Sequence, residues 1–321
     1  MGITRFDVVK ANSYIGAVGN PFGNKHYVKA SGGSDGNSGK SPDQAFATIQ
    51  KAIDVGATGD SVILSPGTHS VDVSTAALIP LADMQFYGAV PSLGGKPSTI
   101  ITHDADDGAN LIAVDVDGVG FHDIEFLLVA GGTTALTLFD VAQTTAVNGL
   151  VFNNCWFNLN SVDASGVGAL TIDDPTNATT SLVIKNCRFT GGDATTNAAI
   201  YIAVGVGGIP KLLCEDNVFE LESIDGDCLG FNFLDPGAAN KSYGITIRNN
   251  DFIGPIDGGD DGVGIKFAAA MTEDEIVGII RTNYFANCSA TPITIDSANA
   301  SVVLNYVGDD ATGGTLVDPG T

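Results

Sequence analysis

Residues 184–189 are Ile184-Lys185-Asn186-Cys187-Arg188-Phe189, and residues 247–252 are Ile247-Arg248-Asn249-Asn250-Asp251-Phe252. The same frame closes on Phe126, Phe157, Phe189, Phe219, Phe252 and Phe285, at gaps of 31, 32, 30, 33 and 33 residues. Five residues before each aromatic stands an apolar side chain: Phe121, Phe152, Ile184, Cys214, Ile247 and Ile280. Between them lies a mostly polar pair: Asn154-Cys155, Asn186-Cys187, Asp216-Asn217, Asn249-Asn250 and Thr282-Asn283. A fixed period of this size belongs to a stacked repeat, in which each unit buries its apolar side chains against its neighbours.

A second repeat runs through the same units. It comprises Leu136-Thr137-Leu138, Leu170-Thr171-Ile172, Ile200-Tyr201-Ile202, Phe231-Asn232-Phe233, Ile265-Lys266-Phe267 and Ile293-Thr294-Ile295. Each alternates apolar and polar residues, the period of a strand with one buried face. Turn residues such as Asp173-Asp174-Pro175 and Gly191-Gly192-Asp193 separate the strands. No unit carries an amphipathic helical run, so helical solenoids are excluded, and the leucine-rich spacing is missing. The reading is a β-solenoid with at least two short strands per coil, running from about residue 61 to about 307.

Composition agrees. Across 321 residues only 16% are charged, 41 are glycine, and the formal net charge is −23. This balance disfavours nucleic acid and anionic membrane as partners. No run is long enough to span a bilayer. Residues 1–7 contain no apolar core of a secretory signal, so none is expected. Five cysteines argue against a complete disulfide framework. Cys155 and Cys187 share a register, and strand spacing is expected to hold them as buried free thiols rather than an unstrained bridge.

Two segments precede the coils. Residues 1–26 form an arm with Ile3, Arg5, Phe6, Val8, Val9 and Tyr14 among polar residues, ending at the turn Asn20-Pro21-Phe22-Gly23-Asn24. It cannot bury itself alone, so it packs on the solenoid or docks to another protein; docking is the expectation. Residues 27–321 are one domain. Within it Ser41-Pro42-Asp43-Gln44 has the marks of a helix start: Ser as N-cap, Pro at the first position, Gln at the capping-box position. A helix is therefore expected over about 42–55, with Phe46, Ile49 and Ile53 on one face and Gly56 ending it. Such a helix would plug the open end of the first coil.

The stretches Gly33–Gly39, Ser41–Asp54 and Gly59–Thr68, with the Asn-x-x-Phe coils, resemble the opening of pectate-lyase-like right-handed parallel β-helix proteins. The resemblance covers nearly everything after residue 26. It implies an all-β, single-stranded right-handed parallel β-helix, and leaves function open, because lyases, hydrolases, phage tailspikes and inert virion proteins share that opening. Arm plus β-helix looks most like a phage virion protein made in the host cytoplasm. The resemblance implies a place on the virion surface, a homotrimer, and the major capsid protein or another virion protein as partner of residues 1–26.

Catalytic constellations are sparse. Arg188, Arg248 and Arg281 show no lyase-type motif and read as surface structural residues. Asp257, Asp260 and Asp261 form the densest acidic group, either a carboxylate pair or a Ca²⁺ loop, or a Gly-rich turn; the turn is the expectation. Asp35-x-Asn37-x-Gly39 could take Ca²⁺ but fits an Asx-turn better. His26, His69, His103 and His122 lack metal spacing. No cofactor is expected, with Ca²⁺ as the one open option. The column just before each Phe—Glu125, Trp156, Arg188, Val218, Asp251, Tyr284—should point outward, with Trp156 and Arg188 stacked as a cation–π pair. That column is the candidate contact surface for a sister subunit or a host glycan. The function expected is a non-enzymatic capsid decoration or spike. The alternatives are a trimeric tailspike that binds or cleaves host polysaccharide, and a polysaccharide lyase.

Overall fold

The computed structural model describes residues 23–73, 77–89, 96–103, 110–128, 137–141, 145–159, 168–172, 179–191, 198–202, 209–220, 229–233, 242–254, 263–267, 276–286, 293–294, 299–303, 305–308 and 315–317. The chain winds into a parallel β-helix with three strand-bearing sides. The first sheet has ten strands, from Lys25–Val28 to Asn299–Val303. The second also has ten, from Gly67–Val71 to Thr315–Val317, and the third has seven, from Ile112–Val114 to Ile293–Thr294. Neighbouring strands run parallel, except that Thr315–Val317 closes the second sheet antiparallel to Asn305–Gly308.

The repeats stack in register. Phe126, Phe157, Phe189, Phe219, Phe252 and Phe285 pair coil to coil on the second sheet, and His69 and Ile101 precede them in the same column. From Phe157 to Phe285 successive rings lie nearly parallel, with centroids 4.5, 4.6, 4.6 and 4.9 Å apart. Phe86, Phe121, Phe152, Ile184, Cys214, Ile247 and Ile280 form the matching inward column of the first sheet. All of these side chains are buried. Each buried aromatic stabilises the fold by about 1.5–3 kcal/mol relative to exposure, so the ladders dominate the energetics.

On the third sheet the register departs from the expected one. Leu170 pairs with Phe139, not with Leu136, so the strand is Phe139–Val141. The reason is volume. Phe139 packs edge-on against Phe121, Phe126 and Phe152, filling space that a leucine would leave empty. Thr137 instead bonds the backbone oxygens of Phe139 and Gly168.

The polar pairs make the corner between first and second sheets. Their first members, Asn154, Asn186, Asp216, Asn249 and Thr282, all have φ between 53° and 57°. Asn and Asp tolerate this left-handed region; a β-branched residue does not do so easily. The second members point inward as a ladder. Asn217 Nδ2 donates to Asn250 Oδ1 at 2.9 Å, and Asn250 Nδ2 to Asn283 Oδ1 at 3.0 Å. Cys155 and Cys187 occupy the same place on earlier coils as buried free thiols. Burial and the neighbouring Cys187 push the Cys155 thiol well up, so it stays protonated.

The N-terminal plug differs from the expected single helix. Pro42–Gln44 is a short 3₁₀ turn, Phe46 bridges Val28 as a strand residue, and the α-helix is Ile49–Val55. Ser41 makes no side-chain cap; Thr48 does, accepting from the Lys51 amide. Backbone bonds from Phe46 N to Tyr27 O and from Lys29 N to Phe46 O hold Phe46 extended, and that pairing overrides the local helix signal. Ile49, Ala52 and Ile53 are the helix's buried face.

Candidate contact surface

The column ahead of the phenylalanines is in register as Glu125, Trp156, Arg188, Val218, Asp251 and Tyr284. Its members are not equally exposed. Glu125 is fully buried, because Lys96 Nζ sits 2.6 Å from its carboxylate and Asn158 Nδ2 donates to it at 3.0 Å. Glu125 Oε2 has no hydrogen-bond partner among the described residues. Asp251 and Tyr284 are exposed.

Trp156 is clamped. Arg188 stacks over the indole at 4.9 Å, from the following coil, and Lys96 lies 4.6 Å from the ring centroid, anchored on Glu125 in the preceding coil. The indole N–H donates to Thr190 Oγ1 at 2.7 Å. Arg188 is itself held by Glu220, one coil further on. Arg188 from the following coil and Lys96 from two coils earlier thus place cations on the ring, and a sugar stacking on Trp156 would have to displace one of them.

A second cluster escaped the sequence reading. Lys185, Glu215 and Arg248 follow the inward apolar residue on three successive coils of the first sheet. Glu215 accepts from Lys185 Nζ at 2.6 Å and from Arg248 Nε at 2.7 Å. Those two bonds hold the Glu215 carboxyl below its usual range, and the Glu215 partner raises Lys185. The signal was present: reading the residue after each inward apolar position gives plus, minus, plus at 30- and 33-residue intervals. On the same sheet Tyr87 and His122 stack at 4.6 Å, and burial lowers the His122 pKa despite Asp123 nearby.

Two acids tie the N-terminal end. Asp60 accepts from Asn24 N at 2.7 Å and Ala57 N at 2.9 Å, and pairs with His26 Nε2 at 2.8 Å. Burial works against its ionisation, but these bonds outweigh that and lower its pKa. Asp35 accepts from Ala47 N, Thr48 N and Thr48 Oγ1 at 2.9, 3.0 and 2.9 Å. Asn37 donates to Ala45 O at 2.9 Å. The Asp35–Gly39 loop is therefore a staple onto the helix start, which goes beyond a local Asx-turn. Ile3, Arg5, Phe6, Val8, Val9 and Tyr14, and the Asp257, Asp260 and Asp261 loop, lie outside the described residues. Among the described residues no three His, Cys, Asp or Glu side chains converge as a metal site.

No protein-family model matches this chain, and no curated protein sequence does. Among solved structures, a rhamnogalacturonan lyase superposes with a TM-score of 0.57 at 16% identity, over 88% of this chain and 73% of that one. A pectin methylesterase from Aspergillus niger gives 0.43 at 14% identity, covering 93% and 92%. Geobacillus virus E2 ORF18 gives 0.29 at 12%, covering 97% and 65%. The first likeness shows the fold alone, a parallel β-helix.

Proposed function

We propose that the chain is a structural, non-enzymatic β-helix of a phage virion surface, a capsid decoration or spike held by residues 1–26. The observation that carries this reading is how the outward polar side chains are used. Trp156, Arg188, Lys185, Glu215 and Arg248 are engaged in bonds between successive coils. Acid–base catalysis needs a carboxylate or base free to reach a substrate proton. Here these groups brace a rod. The anchoring end is braced too: Asn24, where the arm joins, is tied to Asp60 through its amide and side chain, and the Ser61 amide bonds its carbonyl. A pull on the arm is thus passed directly into the first coil.

Quantitative mass spectrometry of purified particles of the encoding phage tests the proposal. A copy number comparable to the major capsid protein is expected for a decoration, and one near the tail-tip components would make the protein a tailspike. Absence from particles, or release of oligosaccharides from host polysaccharide by the purified chain, would overturn it.

A further inference from the structure

Glu125 brings two reactive partners together. It lies on the second-sheet strand Glu125–Leu127 and is fully buried. Lys96 reaches it from the preceding coil, just ahead of the strand Thr99–His103, with Nζ 2.6 Å from Oε1. Asn158 reaches it from the following coil, and its Nδ2 donates to the same Oε1 at 3.0 Å. A primary amine and a carboxamide thus meet on one carboxylate oxygen. The other oxygen, Oε2, has no hydrogen-bond partner among the described residues. Asn158 is buried as well, and Trp156 lies over the amine. The Glu215 cluster gives the contrast. Lys185 Nζ is also 2.6 Å from that carboxylate, but Arg248 holds its second oxygen, and no side-chain amide among the described residues bonds it.

We propose that Lys96 and Asn158 join in an intramolecular isopeptide bond, with Glu125 as the catalytic residue. The reaction balances without any added reactant. Glu125 takes one proton from the Lys96 ammonium, which leaves a neutral amine as the nucleophile. That transfer also removes two opposite charges from a site where a buried carboxylate oxygen is unpaired, an arrangement that costs free energy while it lasts. The Nζ lone pair attacks Asn158 Cγ, and the carbonyl electron pair moves onto Oδ1. Glu125 passes its proton to Nδ2, the electron pair returns from Oδ1, the Cγ–Nδ2 bond breaks and ammonia leaves. Glu125 then keeps the second amine proton and ends neutral, so no unpaired charge stays buried. The Lys96 side chain is 46% exposed, which gives the ammonia a way out to solvent. Holding amine, carboxamide and acid in one geometry makes the attack intramolecular, the condition under which a weak electrophile such as an amide reacts. The bond skips the coil of Glu125 and ties the coil of Lys96 to that of Asn158, a covalent rung on the outside of the Phe ladder. The chemistry does not depend on where the protein resides, so it stands or falls separately from the virion reading.

The test is intact-mass spectrometry of the purified full chain, followed by tandem mass spectrometry of a protease digest. Wild type is expected to be lighter than its sequence by one ammonia, with one peptide pair joined through Lys96 and Asn158, while Lys185 stays a free amine. Lys96→Arg keeps a cation on Glu125, so it is expected to fold by circular dichroism and to lack the link. Asn158→Ala should lack it too. Glu125→Gln should slow its formation about a hundredfold or more, the usual worth of a general acid–base group. A wild-type chain of unaltered mass, an ammonia loss with no Lys96–Asn158 peptide, a loss of water that joins Lys96 to Glu125 instead, or a Glu125→Gln chain that links as fast as wild type would each overturn the proposal.

Discussion

Asn250 sits in the middle of the corner ladder and satisfies groups on both sides. It accepts from the Asn217 amide and side chain, and donates to Cys214 O and Asn283 Oδ1. Asn250→Ala would strand buried donors with no water to replace their partner, so a loss of about 2–4 kcal/mol is expected in urea denaturation. Thr282 points the other way. The equivalent Asn249 adopts the same left-handed conformation with φ 55° and bonds Asp216 through its amide. Thr282→Asn should therefore gain about 0.5–1 kcal/mol by relieving the β-branched strain, read by the same titration. If Thr282→Asn destabilised the chain, the hydroxyl's bond to Asn249 would outweigh the strain. The repeated Asn positions were legible in the sequence, as was the shared register of Cys155 and Cys187 as buried thiols; the inward turn of Asn217, Asn250 and Asn283 and their bonds from coil to coil came from the structure.

At the level of elements, the plug shows where local signals fail. Ser-Pro-Asp-Gln carries every mark of a helix start, yet Pro42–Gln44 closes only a 3₁₀ turn, because Phe46 is claimed by a partner 18 residues earlier. The true start was disguised: Asp35 reaches across 12 and 13 residues to cap Ala47 and Thr48, a contact no window of sequence reveals. Seven residues are too few for a helix to persist alone, so Ile49–Val55 depends on that staple and on its buried face. Asp35→Ala is expected to cost about 1 kcal/mol, the usual worth of a cap. Hydrogen exchange should quicken at residues 47–55 and stay unchanged in the Phe ladder; uniform quickening along the coils would mean that the staple supports the whole rod instead. The shifted strand at Phe139–Val141 has the same lesson on the third sheet, where alternation suited two registers and core volume chose one.

For the whole molecule, the period of the Phe frame was enough to place the coils, because stacking is a one-dimensional rule and each unit repeats it. The outward ion pairs were harder, since partners 30 to 33 residues apart share no local pattern. Those pairs and the buried histidines together set the acid response. His69 and His122 are held below their ordinary value near 6.5 by burial, so both are neutral in the fold. His69 is in register with Ile101 in the inward column, its Nε2 3.0 Å from Ser65 O and its Nδ1 without a hydrogen-bond partner among the described residues. Below pH 6.5 the unfolded chain takes up those protons and the folded chain resists, so stability falls as pH drops. Glu215, Asp60 and Asp35 are likewise depressed, from ordinary values of 4.5, 3.8 and 3.8, and their contribution is lost as pH falls from those values through the lower folded ones. Self-repulsion of the −23 charge runs the opposite way, since acid removes it, but added salt screens that term and leaves the buried groups in place. In about 0.3 M salt the melting temperature is therefore expected to be level from pH 8 to 6.5, to decline from 6.5 toward 5, and to drop again below 4.5. His69→Leu removes one of the two histidines and should flatten the first decline while leaving the second intact. A first decline unchanged by that substitution would assign it to His122 and its Tyr87 stack, and an absent one would mean that the coils accept a charged His69 and His122 by opening to water.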